Sequence, residues 1–113
     1  MAKSTTSNLV GPIIFANETA RTQLKTEGEV VTFRKSSRTT GDTWWRESRF
    51  GGKQGDVTVE EIGEANPLID QDLARYRDLS GFESIDDWRS AISSLNGDIP
   101  NSGYLYRVTI RES

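Results

Sequence analysis

Thr32 and Arg34 stand two residues apart in Glu29-Val30-Val31-Thr32-Phe33-Arg34, a β-branched and aromatic run that reads as a strand. Alternation along a strand puts both on one face with Val30, while Val31 and Phe33 take the other. At a rise of about 3.3–3.4 Å per residue, a ligand over that face would meet a hydroxyl and a guanidinium about 7 Å apart. The planar fork of Arg offers paired donors, which suit a phosphate or a carbonyl edge. The competing partner for Arg34 is a structural carboxylate, for example Glu60, Glu61 or Glu64. Lys35, Arg38, Arg46 and Arg49 follow closely and could track a phosphate backbone, each contact adding to the salt dependence of binding. The plainer reading makes them solvated surface charges.

Two adjacent tryptophans fall inside Thr43–Phe50, "TWWRESRF", which reads as a second strand ended by Gly51-Gly52. Neighbours on a strand face opposite ways. Phe50 shares parity with Trp44, which points Trp44 inward and leaves Trp45 outward beside Arg49. Trp45 is then the candidate platform for a stacked base, a contact worth roughly 1–3 kcal/mol.

Much chemistry is excluded by composition. The chain has no cysteine and no histidine, so thiolate nucleophiles, disulfides and the commonest general base are absent. Any reaction would run on carboxylates, Lys, Tyr, Ser or Thr. Asp70, Asp72 and Asp78 miss the spacing of a calcium loop, and Gly51, Gly52 and Gly55 lie between strands instead of opening a helix. No metal and no cofactor is expected. No apolar run approaches the roughly 20 residues that span a bilayer, and the N-terminus lacks the apolar segment of a signal peptide. The expectation is a cytoplasmic protein, a monomer, with no membrane partner.

The elements that must hold these residues fit one domain of 113 residues with a net charge of −3. Residues 1–11 read as a flexible polar segment and 12–113 as the domain. Residues 34–53 carry a local +4, whereas 56–87 carry a local −8. "PIIFANE" (12–18) reads as a short buried strand, and 17–26 as one or two helical turns capped by Asn17 or Thr19. "DVTVEEI" (56–62) is a strand with Val57 and Val59 inward. Helical spacing runs through Leu73, Tyr76 and Leu79 over 70–80. Ser84 and Asp87 form a capping-box pattern ahead of the stripe Ile85, Trp88, Ala91, Ile92 and Leu95, and Gly97 stops that helix. In "GYLYRVTIR" (103–111), Tyr104, Tyr106, Val108 and Ile110 share one face. The order predicts an α+β fold: a small, partly open β-barrel with two helices inserted before the closing strand.

The run "VVTFR", then Gly41-Asp42, "GDVTVEEIG", "SGFESIDDWRSAI" and the terminal "YLYRVTI" resembles an ASCH domain, of the PUA-like superfold. The resemblance covers roughly residues 12–111 and rests on the order and spacing of short motifs. It implies a PUA-like barrel with a cleft beside it suited to RNA or a modified nucleoside. Some similar small bacterial proteins deacetylate N4-acetylcytidine with a Lys and a Thr on the early strand and a Glu before the helix that Ser84 opens here. Thr32 matches the Thr, but Glu29 stands at the Lys position and Ser80 at the Glu position. The sequence therefore points first to an RNA- or nucleoside-binding module in which Thr32, Arg34 and Trp45 hold the ligand and Lys35, Arg38, Arg46 and Arg49 hold phosphates. A small amidohydrolase or ribonuclease with Glu29 as its base is the second reading. A protein-interaction module using the acidic helices 70–95 is the third.

Overall fold

The structure, a computed structural model, describes residues 10–111; of the segment read as flexible, residues 1–9 lie outside the described residues. Val10 and Gly11 are tied down: Thr43 Oγ1 donates to the Val10 carbonyl at 2.9 Å, and an Arg38 guanidinium nitrogen donates to the Gly11 carbonyl at 2.7 Å.

Among the described residues the chain forms, in order, β1 (Ile13–Ile14), α1 (Glu18–Glu27), β2 (Glu29–Arg34), β3 (Gly41–Arg46), β4 (Gly55–Ala65), α2 (Asp70–Ala74), α3 (Arg77–Ser80), α4 (Ile85–Asn96) and β5 (Gly103–Ile110). The strands make one mixed sheet in the order β1-β3-β4-β5-β2, curled into a half-barrel. β1 runs parallel to β3, and every other pairing is antiparallel. β1 and β2 are therefore the two free edges. A bulge between Glu61 and Gly63 interrupts the pairing of the long strand β4 with β5, the kind of irregularity that bends a strand and lets a sheet curl.

Both faces of the sheet are packed. Inside the curl, Ile13, Phe15, Val30, Trp45, Val57, Val59, Tyr106 and Val108 meet Ala20 and Leu24 of α1. Outside it, Val31, Phe33, Ala65 and Leu105 meet Leu73, Trp88 and Ile92 from the later helices. Strand alternation thus serves two layers at once: Val30 belongs to the inner core, and its neighbour Val31 to the outer one.

Local chemistry accounts for the helices. Asn17 caps α1 by accepting from the Ala20 N–H at 3.1 Å, and Ser84 caps α4 through the Asp87 N–H at 3.0 Å. Gly28, Gly81 and Gly97 end α1, α3 and α4 in the left-handed conformation that favours glycine. The helix expected over 70–80 is two short ones, because the chain leaves helical geometry at Tyr76 (φ −116°, ψ 6°). The strand expected over 43–50 ends at Arg46, and Ser48–Phe50 turn away from the sheet.

Candidate functional site

β2 pairs only with β5, so one side of its backbone faces no other strand. That side opens onto a cavity of about 250 Å³ between the two layers. One wall is the β1–α1 junction, with Phe15, Ala16 and Asn17. The other is Phe82 with the α4 residues Trp88, Ile92, Leu95 and Asn96. Thr32, Arg34 and Lys35 form the β2 side. The spacing of Thr32 and Arg34 therefore does bring them together on one cavity.

Arg34 governs the electrostatics. One guanidinium nitrogen donates to the Ile14 carbonyl at 2.9 Å, and the guanidinium carbon lies 5.2 Å from the centre of the Phe15 ring. Its Nε is sealed from solvent and has no hydrogen-bond partner among the described residues. Among the described residues no carboxylate makes an ion pair with it, so Glu60, Glu61 and Glu64 are not its partners. Burial, with a smaller push from Arg38, lowers its pKa to about 10, and Tyr106 offsets part of that. The group stays cationic at neutral pH inside a largely apolar shell. An unneutralised cation in such a shell raises the local demand for an anion or a strong acceptor.

The remaining expected contacts divide. Lys35 is exposed at the rim of the cavity. Arg38 is engaged by the chain itself: its side chain donates to the carbonyls of Thr39 and Gly11, and its backbone N–H donates to the Tyr106 hydroxyl at 2.9 Å. Arg46 stacks on Trp44, 5.4 Å from the ring centre. Arg49 is exposed in the turn after β3. Neither Arg46 nor Arg49 lines the cavity beside β2.

Trp45 corrects the sequence reading. It is 3% exposed and packs edge-to-face on Phe15, with ring centres 6.1 Å apart, so it is core and not a stacking platform. Trp44 is the half-exposed member of the pair. Parity was drawn from Phe50, but Phe50 lies beyond the end of β3 and is 92% exposed.

Glu29 stands on the opposite face of β2 from Thr32, where its carboxylate lies 3.2 Å from Arg107. It is in no position to act as a base beside Thr32. Ser80 is fully buried; its hydroxyl donates to the Arg77 carbonyl at 2.6 Å and accepts from the Phe82 N–H. Both positions at which the chain departs from the deacetylase pattern are thus occupied by side chains with structural partners. The acidic helices are similarly self-engaged: Arg89 pairs with Asp70 and Asp86, and Arg77 pairs with Asp78.

Sequence reasoning missed Phe15, Asn17, Phe82 and Asn96 as lining residues, and placed Trp88 only on the apolar stripe of its helix. Trp88 does belong to the outer core, yet it also reaches the cavity. The Asn17 cap was legible as a cap. Its position across from α4 comes from folding the two layers around β2, which no local pattern encodes.

Among the described residues no helix is long and apolar enough to cross a membrane, and no group of three or more acidic side chains is arranged to hold a metal ion. Comparison with protein-family models, with curated proteins and with solved structures finds no match to this chain.

Proposed function

We propose that the cavity beside β2 binds a single nucleobase or nucleoside, free or presented by RNA, in a PUA-like module of the kind the ASCH resemblance implies. One observation carries this reading: Arg34, cationic and without a carboxylate, lies on the same small cavity as Thr32 and the rings of Phe15, Phe82 and Trp88. Aromatic and aliphatic walls suit the faces of a flat ring. The hydroxyl and guanidinium suit its acceptor edge. A volume of about 250 Å³ lies below the roughly 300–1,000 Å³ of drug-sized sites, which favours one base over a length of polymer.

The cations outside the cavity do not support a phosphate track, since Arg38 is held by backbone carbonyls and Arg46 by Trp44. RNA would then be held by one unstacked or terminal base. Hydrolysis gains no support, because neither Glu29 nor Ser80 is placed to activate water at Thr32.

The test is a titration of the four ribonucleosides followed by backbone amide NMR and by tryptophan fluorescence. Shifts at residues 32–35 and along one face of 88–96, with quenching of Trp88, are expected. No shift at these residues with any nucleoside at millimolar concentration removes the reading.

A further inference from the structure

We propose that the polar wall of this cavity is an anion subsite and that its ligand carries a phosphomonoester, as in a nucleoside monophosphate or the phosphorylated end of an RNA strand. This inference rests on the nucleoside reading and specifies which form of the nucleoside the site takes.

Three donors of different origin converge on the lining. Arg34 is the first: its guanidinium lines the cavity with one nitrogen held by Ile14, and no carboxylate pairs with it among the described residues. Lys35 is the second, exposed at the rim and making no ion pair among the described residues. The third is the side-chain amide of Asn17, the cap of α1, which lines the cavity beside Ala16.

The amide orientations follow from backbone partners. Asn17 must turn its oxygen to the Ala20 N–H, so its Nδ2 is left as a donor. Asn96 must turn its nitrogen to the Ile92 carbonyl, so its Oδ1 is left as an acceptor on the α4 wall. The polar side chains of the β1–α1–β2 wall are therefore donors with the versatile hydroxyl of Thr32, whereas the α4 wall offers ring and aliphatic surface with one acceptor. Glu18, the carboxylate in the first turn of α1, lines a separate depression with Thr19 and Thr22. Among the described residues no acidic side chain lines the cavity itself. A neutral nucleoside could satisfy Thr32 and Asn96. It would leave Arg34 and Lys35 without a counter-charge, and a phosphomonoester supplies one.

The experiment compares, by calorimetry at low ionic strength, the four ribonucleosides, their 5′-monophosphates, inorganic phosphate and a 5′-phosphorylated dinucleotide. The monophosphates are expected to bind at least about tenfold more tightly than the nucleosides, the scale of one charge-assisted contact. Lys35→Gln, at an exposed position, is expected to lower that preference at least about threefold through the loss of one charge. Preferential binding of the phosphorylated dinucleotide identifies a strand end as the source, and preferential binding of the mononucleotide identifies the free metabolite. Equal affinity for nucleoside and monophosphate overturns the anion subsite and leaves the base-binding reading standing. A preference that Lys35→Gln does not alter also overturns it, and binding of none of the probes overturns both.

Discussion

Arg34, on one edge strand of the sheet, donates at 2.9 Å to the carbonyl of Ile14, on the other edge strand, and so spans the gap where the half-barrel fails to close. The same guanidinium lies on the Phe15 ring and has an unpartnered Nε. Two roles compete for it, a latch between the edges and a receptor for a ligand, and stability separates them. A latch contributes about 1 kcal/mol as one hydrogen bond. Against that stands the cost of keeping an unpaired cation out of water, and replacement of such groups by apolar residues is often neutral or stabilising. Arg34→Met, which keeps the length of the stem, should fold as stably as the parent or more so in urea melts, while losing ligand binding. A loss above about 2 kcal/mol would make Arg34 a structural residue first.

The two tryptophans should respond very differently to truncation. Trp45 is buried against Phe15 in the inner core, so Trp45→Ala should cost about 3–5 kcal/mol, as for other large core aromatics. Trp44 is half-exposed and touches Arg46, so Trp44→Ala should cost about 1 kcal/mol, the scale of an exposed cation–π pair with some lost burial. Chemical denaturation of the two variants measures both. Equal losses would mean that the outer face of β3 is covered more heavily than its exposure indicates.

Gly103 opens β5 directly behind the site. A Cβ there would overlap the Phe33 ring and come within 2.6 Å of the Arg34 carbonyl oxygen. The backbone oxygen cannot move without shifting β2. Gly103→Ala should therefore destabilise by about 1–3 kcal/mol, the range for overpacking, and should also weaken binding by displacing Arg34. Gly52→Ala is the control, since nothing lies near its added methyl group and its φ is not left-handed. Thermal melts of the pair, with ligand titration of the folded variant, check both effects.

How far the sequence foretold this arrangement depends on the range of the interaction. Caps and strand faces were legible, because Ser84 to Asp87 and the alternation of Val30, Thr32 and Arg34 are written within a few residues. The common location of Thr32 and Arg34 on one cavity followed from that alternation. The Trp45 error has a local cause too: Phe50 was counted as part of a strand that stops at Arg46, and parity means nothing past a strand end. The opposite wall was not legible, because α4 reaches β2 from more than fifty positions away. Nor was the absence of a carboxylate beside Arg34, since three glutamates on β4 were available by count and only the sheet order, with β5 between β4 and β2, sets them two strands away.

Alkaline pH offers a separate check on Arg34 and on its neighbour Tyr106. Burial raises the Tyr106 phenol above its ordinary value, with the Arg38 N–H pulling it partly back. A raised folded pKa means that this contribution to stability is complete below the unfolded value near 10 and is lost as pH climbs through the folded one. Arg34 works the other way. Its folded pKa, about 10, lies below its unfolded value, so the penalty of burying the cation is complete below about pH 10 and is relieved above it. Any advantage of Arg34→Met over the parent should therefore shrink as pH rises beyond about 10. Tyr106→Phe should remove the raised step from a phenolate absorbance titration, at a cost of about 1 kcal/mol or somewhat more for the Arg38 N–H left without its acceptor. If the raised step survives in Tyr106→Phe, the buried contact between the closing strand and the β2–β3 loop is looser than its 2.9 Å separation indicates.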